Sequence, residues 1–231
     1  VRLLEALRSL AGRGRRAPPT VCLSSVKPYS TKTIPTTGVN EDQLLDPDEP
    51  YAASKMAMSG AVMAWARSFD LPVTVLRMSN LYGAAPCHGP RHGWLTWFCI
   101  SAAIGRQIQV QGDGSQTRDM LHSKDVTSAV LAGWSHIGAC KGRVFNVGGG
   151  APNVISVRDA ANLVGSLDPS VVLTSGPGRR HEDMAFVTDH RLFTSVTGWE
   201  PRVGVQGGIR QVLDWAQFNQ DDLRKLYEGV E

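Results

Sequence analysis

The stretch from Thr20 to Met78 narrows the possible folds more than any other part of the chain. Thr20-Val21-Cys22-Leu23-Ser24 reads as a short buried strand, and a polar loop rich in Thr, Pro and Asp fills 30–50. From Tyr51 to Phe69, Met, Ala and Val recur at helical spacing until Asp70-Leu71-Pro72 breaks the run. Val73-Thr74-Val75-Leu76-Arg77-Met78 is then an almost continuous apolar segment, as expected of a strand covered on both faces of a parallel sheet. Strand, helix and strand in this rhythm make a βαβ unit.

The same stretch carries chemistry. Tyr51 and Lys55 stand four apart and therefore side by side on one helix face. An ammonium beside a phenol favours the phenolate, the form that accepts a proton. Ser25 closes the preceding strand, at the carboxyl end where doubly wound folds place ligands. A Tyr and a Lys at this spacing often arise by chance; following a strand-ending Ser and a loop, they read as a catalytic set.

The rest of the chain surrounds this unit. Val1, Leu3, Leu4, Leu7 and Leu10 predict an opening amphipathic helix that Gly12 stops. Beyond Gly83 come loops rich in Gly, Pro and His, then a Trp-rich helix from Trp94. Short strands are expected at Ile108–Val110 and near Arg143–Val147. Helices are expected near Lys124–His136, Val157–Gly165, His190–Thr197 and Val205–Phe218. At about 150 residues per domain, 231 residues make roughly one and a half domains.

Composition removes several classes of function. With 42% apolar and 19% charged residues the chain can bury a core, which excludes wholesale disorder. A net charge of +3 is too small to imply nucleic acid, and no aromatics interleave with the basic run Gly12–Arg16. Arginine supplies most of the basic residues and suits a bidentate grip on phosphate. No apolar run approaches the ~18 residues of a membrane span, and Glu5 falls where a secretory signal would be apolar. Cys22, Cys87, Cys99 and Cys140 form no CxxC pair, so reduced thiols and a cytoplasmic location are expected. The spacing of His88, His92, His122 and His181 fits no metal-ligand pattern, and no metal is expected.

Further blocks extend the pattern. Tyr29 stands four residues beyond Ser25, and Pro50 precedes Tyr51-Ala52-Ala53-Ser54-Lys55. Arg77-Met78-Ser79-Asn80-Leu81-Tyr82-Gly83 follows, then Gly112-Asp113-Gly114-Ser115-Gln116-Thr117-Arg118-Asp119-Met120-Leu121-His122. Asn146-Val147-Gly148 and Gly198-Trp199-Glu200-Pro201 complete the order, with a closing helix through Trp215. In these blocks the chain resembles the extended short-chain dehydrogenases/reductases, the NAD-dependent epimerases and dehydratases that modify nucleotide sugars.

The resemblance implies an α/β fold: a partial Rossmann-type doubly wound parallel sheet with a smaller C-terminal α/β lobe for substrate. Residues 1–83 would be the C-terminal half of the NAD-binding domain. Residues 84–231 would be mainly the substrate lobe, with some segments returning to the first domain. Tyr51 would be the catalytic base, Lys55 would hold the nicotinamide ribose and tune Tyr51, and Ser25 would be the hydroxyl partner. Ser24 would lie at the cofactor with Tyr51 and Lys55. Asn80, Arg118 and Arg180 would contact the nucleotide-diphosphate sugar, the two arginines at its diphosphate, and Trp94 or Trp97 would line the nucleotide pocket. A homodimer is implied, through helices that include the one from Tyr51.

Details within the blocks favour epimerisation through a transient keto-sugar. Dehydratases of this family usually carry an acid pair directly after the Ser25 position, and the decarboxylating branch uses a Glu there; this chain has Val26 and Lys27. Lys27, the segment His92–Cys99 and Arg118–His122 look like CDP-paratose/tyvelose 2-epimerases. A dehydratase or 4-ketoreductase of the same fold, or a non-catalytic nucleotide-sugar-binding protein, are the alternatives. Two features depart from the family: Pro28 and Ser30 flank Tyr29 where an apolar residue and Gly are usual, and GxxGxxG is absent. Gly12/Gly14 and Gly148-Gly149-Gly150 lack the following helix and distal acid that dinucleotide binding requires. The opening helix resembles the family's fourth, which implies that the first three strands are not part of this chain and that the sheet edge is exposed.

Overall fold

A computed structural model describes residues 1–30, 38–85, 89, 93–177 and 185–229. In chain order the elements begin α1 (Arg2–Gly12), β1 (Thr20–Ser25), α2 (Pro50–Ser68), β2 (Val73–Met78), β3 (Asn80–Tyr82), α3 (Trp94–Ala103), β4 (Ile108–Gln111) and β5 (Thr117–His122). They continue with α4 (Ser123–Ser135), α5 (Ile137–Cys140), β6 (Val144–Val147), β7 (Val154–Ser156), α6 (Val157–Leu167), β8 (Leu173–Gly176), β9 (Ala185–Phe186), α7 (Arg191–Thr197), α8 (Val205–Phe218) and α9 (Gln220–Leu226).

The βαβ unit forms as the sequence predicts, except that β1 is not a buried strand: within it only Ser24 is buried, and Leu23 is exposed because no strand pairs with that edge among the described residues. β1, β2 and β6 make a parallel sheet in that order, with Ser25 opposite Met78 and Met78 opposite Val147. All six residues of β2 are buried because helices cover both faces. Leu4 and Leu7 of α1 and Val62, Met63 and Ala66 of α2 pack with Val73 and Val75. On the other face Leu76, Met78, Phe145 and Val147 meet Ala129 of α4 and Phe193 of α7. Pro50 at the first turn of α2 suits a helix start, since its missing N–H has no intrahelical partner there.

The second sheet is mixed. β5 pairs with β3 and β9 in parallel and with β7 antiparallel. Tyr82, Met120, Leu95, Phe98, Ala160, Val164, Ile209, Val212 and Leu213 form its core, which joins β3 and β5 to α3, α6 and α8. A separate parallel pair, β4 and β8, lies beside it. This α/β architecture of parallel sheets is the expected Rossmann-type fold.

Several elements go beyond the sequence expectations: β3, β5, β7, β8, β9, α5 and α9. Most are short, and β5 carries Thr, Arg and Asp in a strand buried at five of six positions, so no apolar alternation marks it. Ser79 alone separates β2 from β3, so one residue carries the chain from the first sheet to the second.

Candidate active site

Ser25, at the carboxyl end of β1, lines a small cleft with Val26, Lys27, Tyr29, Ser79, Asn80, Arg118 and Phe186. The cleft lies where the two sheets diverge. Ser25, Lys27 and Tyr29 come from the first sheet and its loop, Asn80 from β3 and Arg118 from β5. Residues far apart in sequence thus meet: Ser25, Asn80 and Arg118 share one wall-to-wall space. Ser25 Oγ accepts the backbone N–H of Lys27 at 3.2 Å, so its own proton is left to donate into the cleft. Arg118 is only 8% exposed, and its Nη1 donates to the Thr117 carbonyl at 2.7 Å.

Tyr51 and Lys55 lie in the first turns of α2, which packs on β1, and are not among the cleft's lining residues. Lys55 Nζ lies 5.6 Å from the centre of the Tyr51 ring, within cation–π range. Tyr51 is 53% exposed and so reachable by a ligand. Ser24 tells how the pair is held in relation to Ser25. Its Oγ lies 2.9 Å from Ser59 Oγ and donates to the Lys55 carbonyl at 3.4 Å, and Ser59 Oγ donates to the same carbonyl at 2.8 Å. Expected at the cofactor, the Ser24 hydroxyl is turned to α2 and staples the strand end to the helix's first turns.

A buried polar chain lies under the cleft. Arg77 Nη1 donates to Tyr29 Oη at 2.7 Å, with the guanidinium 4.9 Å from the ring centre. Tyr29 Oη donates to Asn146 Oδ1 at 2.8 Å, Asn146 Nδ2 donates to the Val39 carbonyl, and the Asn146 N–H donates to Glu41 Oε1 at 2.7 Å. Burial pushes the Tyr29 phenol and the Glu41 carboxyl above their ordinary values, against the pull of these hydrogen bonds. Sequence reasoning gave this chain no role. Tyr29, Arg77 and Asn146 each fell in a sequence block, and nothing in the blocks joined them.

Trp94 is half-buried at the start of α3 and stands edge-on to Phe98 at 5.4 Å, against the core that joins β3 and β5 to α3, α6 and α8. Trp97 stands edge-on to Tyr227. Neither lines the cleft. Arg180, with its neighbours Arg179, His181, Glu182 and Asp183, and likewise Cys87, His88 and His92, lie outside the described residues. His122 caps α4: its Nδ1 accepts the Lys124 N–H at 3.2 Å. Among the described residues, no group of three or more His, Cys, Asp or Glu could hold a metal, and no helix is long and apolar enough to cross a membrane.

The model of the NAD dependent epimerase/dehydratase family matches residues 1–148. CDP-paratose 2-epimerase of Salmonella typhi is 30% identical over 184 residues, 77% of this chain and 54% of that protein. dTDP-glucose 4,6-dehydratase of Haemophilus influenzae is 29% identical over 211 residues, 85% of this chain and 60% of that protein. The chain therefore spans little more than half the length of these curated relatives. The structure of UDP-glucose 4-epimerase from Thermotoga maritima, solved with UDP-glucose, superposes with a TM-score of 0.81 at 22% identity, covering 94% of this chain and 68% of that one, and shows the shared fold.

Proposed function

The chain belongs to the NAD dependent epimerase/dehydratase family, and from that premise we propose that it acts in the epimerisation of a nucleotide-diphosphate sugar by way of a transient keto-sugar. The observation that carries this reading is the cleft in which Ser25, Lys27, Asn80 and Arg118 face one another beside the Tyr51–Lys55 pair. A guanidinium and an ammonium suit a diphosphate, and Asn80 and Ser25 offer neutral hydrogen bonds to sugar oxygens.

The hydroxyls of Ser25 and Tyr51 and the ammonium of Lys55 are a donor set that fits the nicotinamide-ribose end of NAD. The glycines available fit its diphosphate poorly. A Cβ on Gly149 would sit 2.1 Å from the Met120 carbonyl oxygen, so that turn is filled by protein and has no room to cradle phosphate. NAD held by that donor set would supply a hydride acceptor for the sugar carbinol and, once reduced, the hydride that restores it. Tyr51 takes the carbinol proton as the ketone forms, with the Lys55 ammonium over its ring stabilising the negative charge that develops there. The Ser25 hydroxyl donates to the sugar oxygen and holds it against Tyr51. Arg118 and Lys27 hold the diphosphate while the keto-sugar turns to present its other face, and Tyr51 then gives its proton back as the carbinol re-forms.

Elimination of water, the reaction named for the dehydratase relative, calls for an acid pair after Ser25, and Val26 and Lys27 stand there. That favours epimerisation of the two. The test is turnover by the purified protein supplied with NAD and a panel of CDP-, UDP-, dTDP- and GDP-sugars, with the products identified. Tyr51→Phe is expected to lower turnover about 10²–10⁴-fold. Unchanged turnover removes Tyr51 from this role, and an unsaturated or 6-deoxy product would assign the lyase reaction instead.

A further inference from the structure

Seven buried side-chain atoms among the described residues lack a hydrogen-bond partner, and four of them surround one turn: Ser79 Oγ, Asp119 Oδ1, Thr188 Oγ1 and His190 Nδ1. The turn is Gly148-Gly149-Gly150, which leaves β6 of the first sheet for β7 of the second. Its fit is tight. A Cβ on Gly148 would lie 2.4 Å from Asp119 Oδ2 and 2.8 Å from Thr188 Oγ1, and one on Gly150 would lie 2.9 Å from His190 Cε1. Asp119 is fully buried, and its Oδ2 accepts the Gly150 N–H at 3.3 Å.

Two chain crossings meet at this carboxylate. Ser79 is the single residue between β2 and β3, and its N–H donates to the Val147 carbonyl at 3.0 Å, so the two crossings are also bonded to each other. Asp119 belongs to β5, the strand that also carries Arg118. Successive strand residues point to opposite faces. Arg118 therefore faces the cleft while Asp119 faces the crossings. Ser79 and Asn80, next to one crossing, line the cleft with Arg118. Among the described residues the Thr188 and Ser79 hydroxyls and the Gly150 and Thr188 amides are the polar groups that act on Asp119, and burial raises it to about 6. A carboxylate placed so expensively needs a reason that hydrophobic packing would not serve better.

We infer that Asp119 is a positioning residue: by taking the Gly150 N–H, with the Ser79 and Thr188 hydroxyls packed about the same turn, it ties the two sheets together and fixes Arg118 and Asn80 across the cleft from Ser25. This deepens the proposed function, and it rests on the reading of the cleft as a diphosphate site. The reacting groups lie on different sheets, so their spacing depends on the joint between the sheets. A purely structural Asp119 would matter only for unfolding. A positioning Asp119 sets the affinity of protein that is fully folded.

The test is calorimetric titration with UDP and CDP of the wild type, Arg118→Ala, Asp119→Asn, Thr188→Val and Thr188→Ser, each shown to be folded by circular dichroism at the titration temperature. Arg118→Ala is expected to abolish binding. Asp119→Asn is expected to weaken it about tenfold and Thr188→Val about threefold, as for a misplaced rather than a missing contact. Thr188→Ser, which keeps the hydroxyl beside Asp119, is expected to bind as wild type does. Binding that is absent in the wild type, or unaffected by Arg118→Ala, overturns the cleft reading and this inference with it. Loss of binding in Arg118→Ala, with wild-type affinity in both Asp119→Asn and Thr188→Val, overturns the positioning role alone. Should Asp119→Asn fail to fold, Thr188→Val against Thr188→Ser decides.

Discussion

Ser25 and Arg118 face the same cleft from strands of opposite character. β1, which ends in Ser25, pairs with β2 on one side, and among the described residues no strand pairs with its other edge. Leu23 on that strand is 45% exposed. β5, which carries Arg118, is bonded to β3, β7 and β9, and Met120 within it is 1% exposed. The proton-handling side of the cleft thus stands on a lightly held edge, and the anion-gripping side on a strand packed all round. Ser24 compensates on the edge: with one ladder missing, its hydrogen bonds to Ser59 and Lys55 anchor the strand end to α2. An unpaired edge is also a template for further strand pairing, by whatever strand meets it.

The largest effect that separates the two strands is a cavity. Met120→Ala is expected to cost about 2–5 kcal/mol, because the neighbouring side chains from α3, α6 and α8 cannot close over the gap. Leu23→Ala, on the exposed edge, is expected to cost about 1 kcal/mol or less, since most of that side chain already meets water. Urea unfolding measures both. Equal losses would mean that Leu23 is covered in solution and would remove the contrast.

Next in size is the staple. Ser24→Ala leaves the Ser59 hydroxyl its bond to the Lys55 carbonyl and removes the link to β1, for an expected loss of about 1 kcal/mol. Its sharper signature is local. Native-state amide exchange should speed up at β1 and the first turns of α2 and stay unchanged at β5. A uniform change along the chain would show that the edge is not a separate weak region.

Acid should act on the β5 side. Burial holds the imidazole of His122 below its ordinary 6.5, with Lys124 adding to the effect. A histidine depressed in the fold gives its full stability above the unfolded value and loses it as the pH falls through 6.5 toward the folded value. Protonated Nδ1 could no longer accept the Lys124 N–H, so the α4 cap is lost with it. His190, depressed by its own burial, acts in the same direction. Asp119 opposes them: raised from 3.8 to about 6, it destabilises the fold as the pH rises through that window and relieves it as the pH falls. Between pH 7.5 and 5.5 the midpoint of thermal unfolding is therefore expected to fall less in His122→Gln than in the wild type. Parallel curves would show that His122 does not titrate with folding.

The sequence made the first sheet more legible than the second, for a physical reason. β2 is buried on both faces and reads as an apolar run, and α2 is bounded by Pro50 and by Asp70-Leu71-Pro72. β5 was recognisable as a block of residues but not as a strand. Its polar side chains are buried against the Gly148–Gly150 turn and the cleft, surroundings that only the tertiary fold supplies. The Arg77–Tyr29–Asn146 chain was hidden for the same reason: its hydrogen bonds join residues 48 and 117 apart. Ser25, Asn80 and Arg118 could be named from their blocks, yet their common cleft follows from Ser79, one residue at a sheet crossing that no periodicity marks.

Two adjacent glycines give the finest probe of how closely the β5 side is packed. Both lie in the first turn of α8. A Cβ on Gly208 would fall 2.0 Å from the Tyr82 hydroxyl, which is buried beside Met120, whereas one on Gly207 would meet nothing within 4 Å. Gly208→Ala must push Tyr82 into a filled core, at an expected cost of about 1–3 kcal/mol. Gly207→Ala adds a helix-favouring methyl in open space and is expected to stabilise by about 0.5–1 kcal/mol. The two variants have the same composition, so urea unfolding of the pair isolates packing from helix propensity. Opposite signs would confine the tightness to the face that α8 turns toward β3 and β5. If both variants gained stability, Tyr82 would have room to move, and the β5 side would be no more rigid than the edge that carries Ser25.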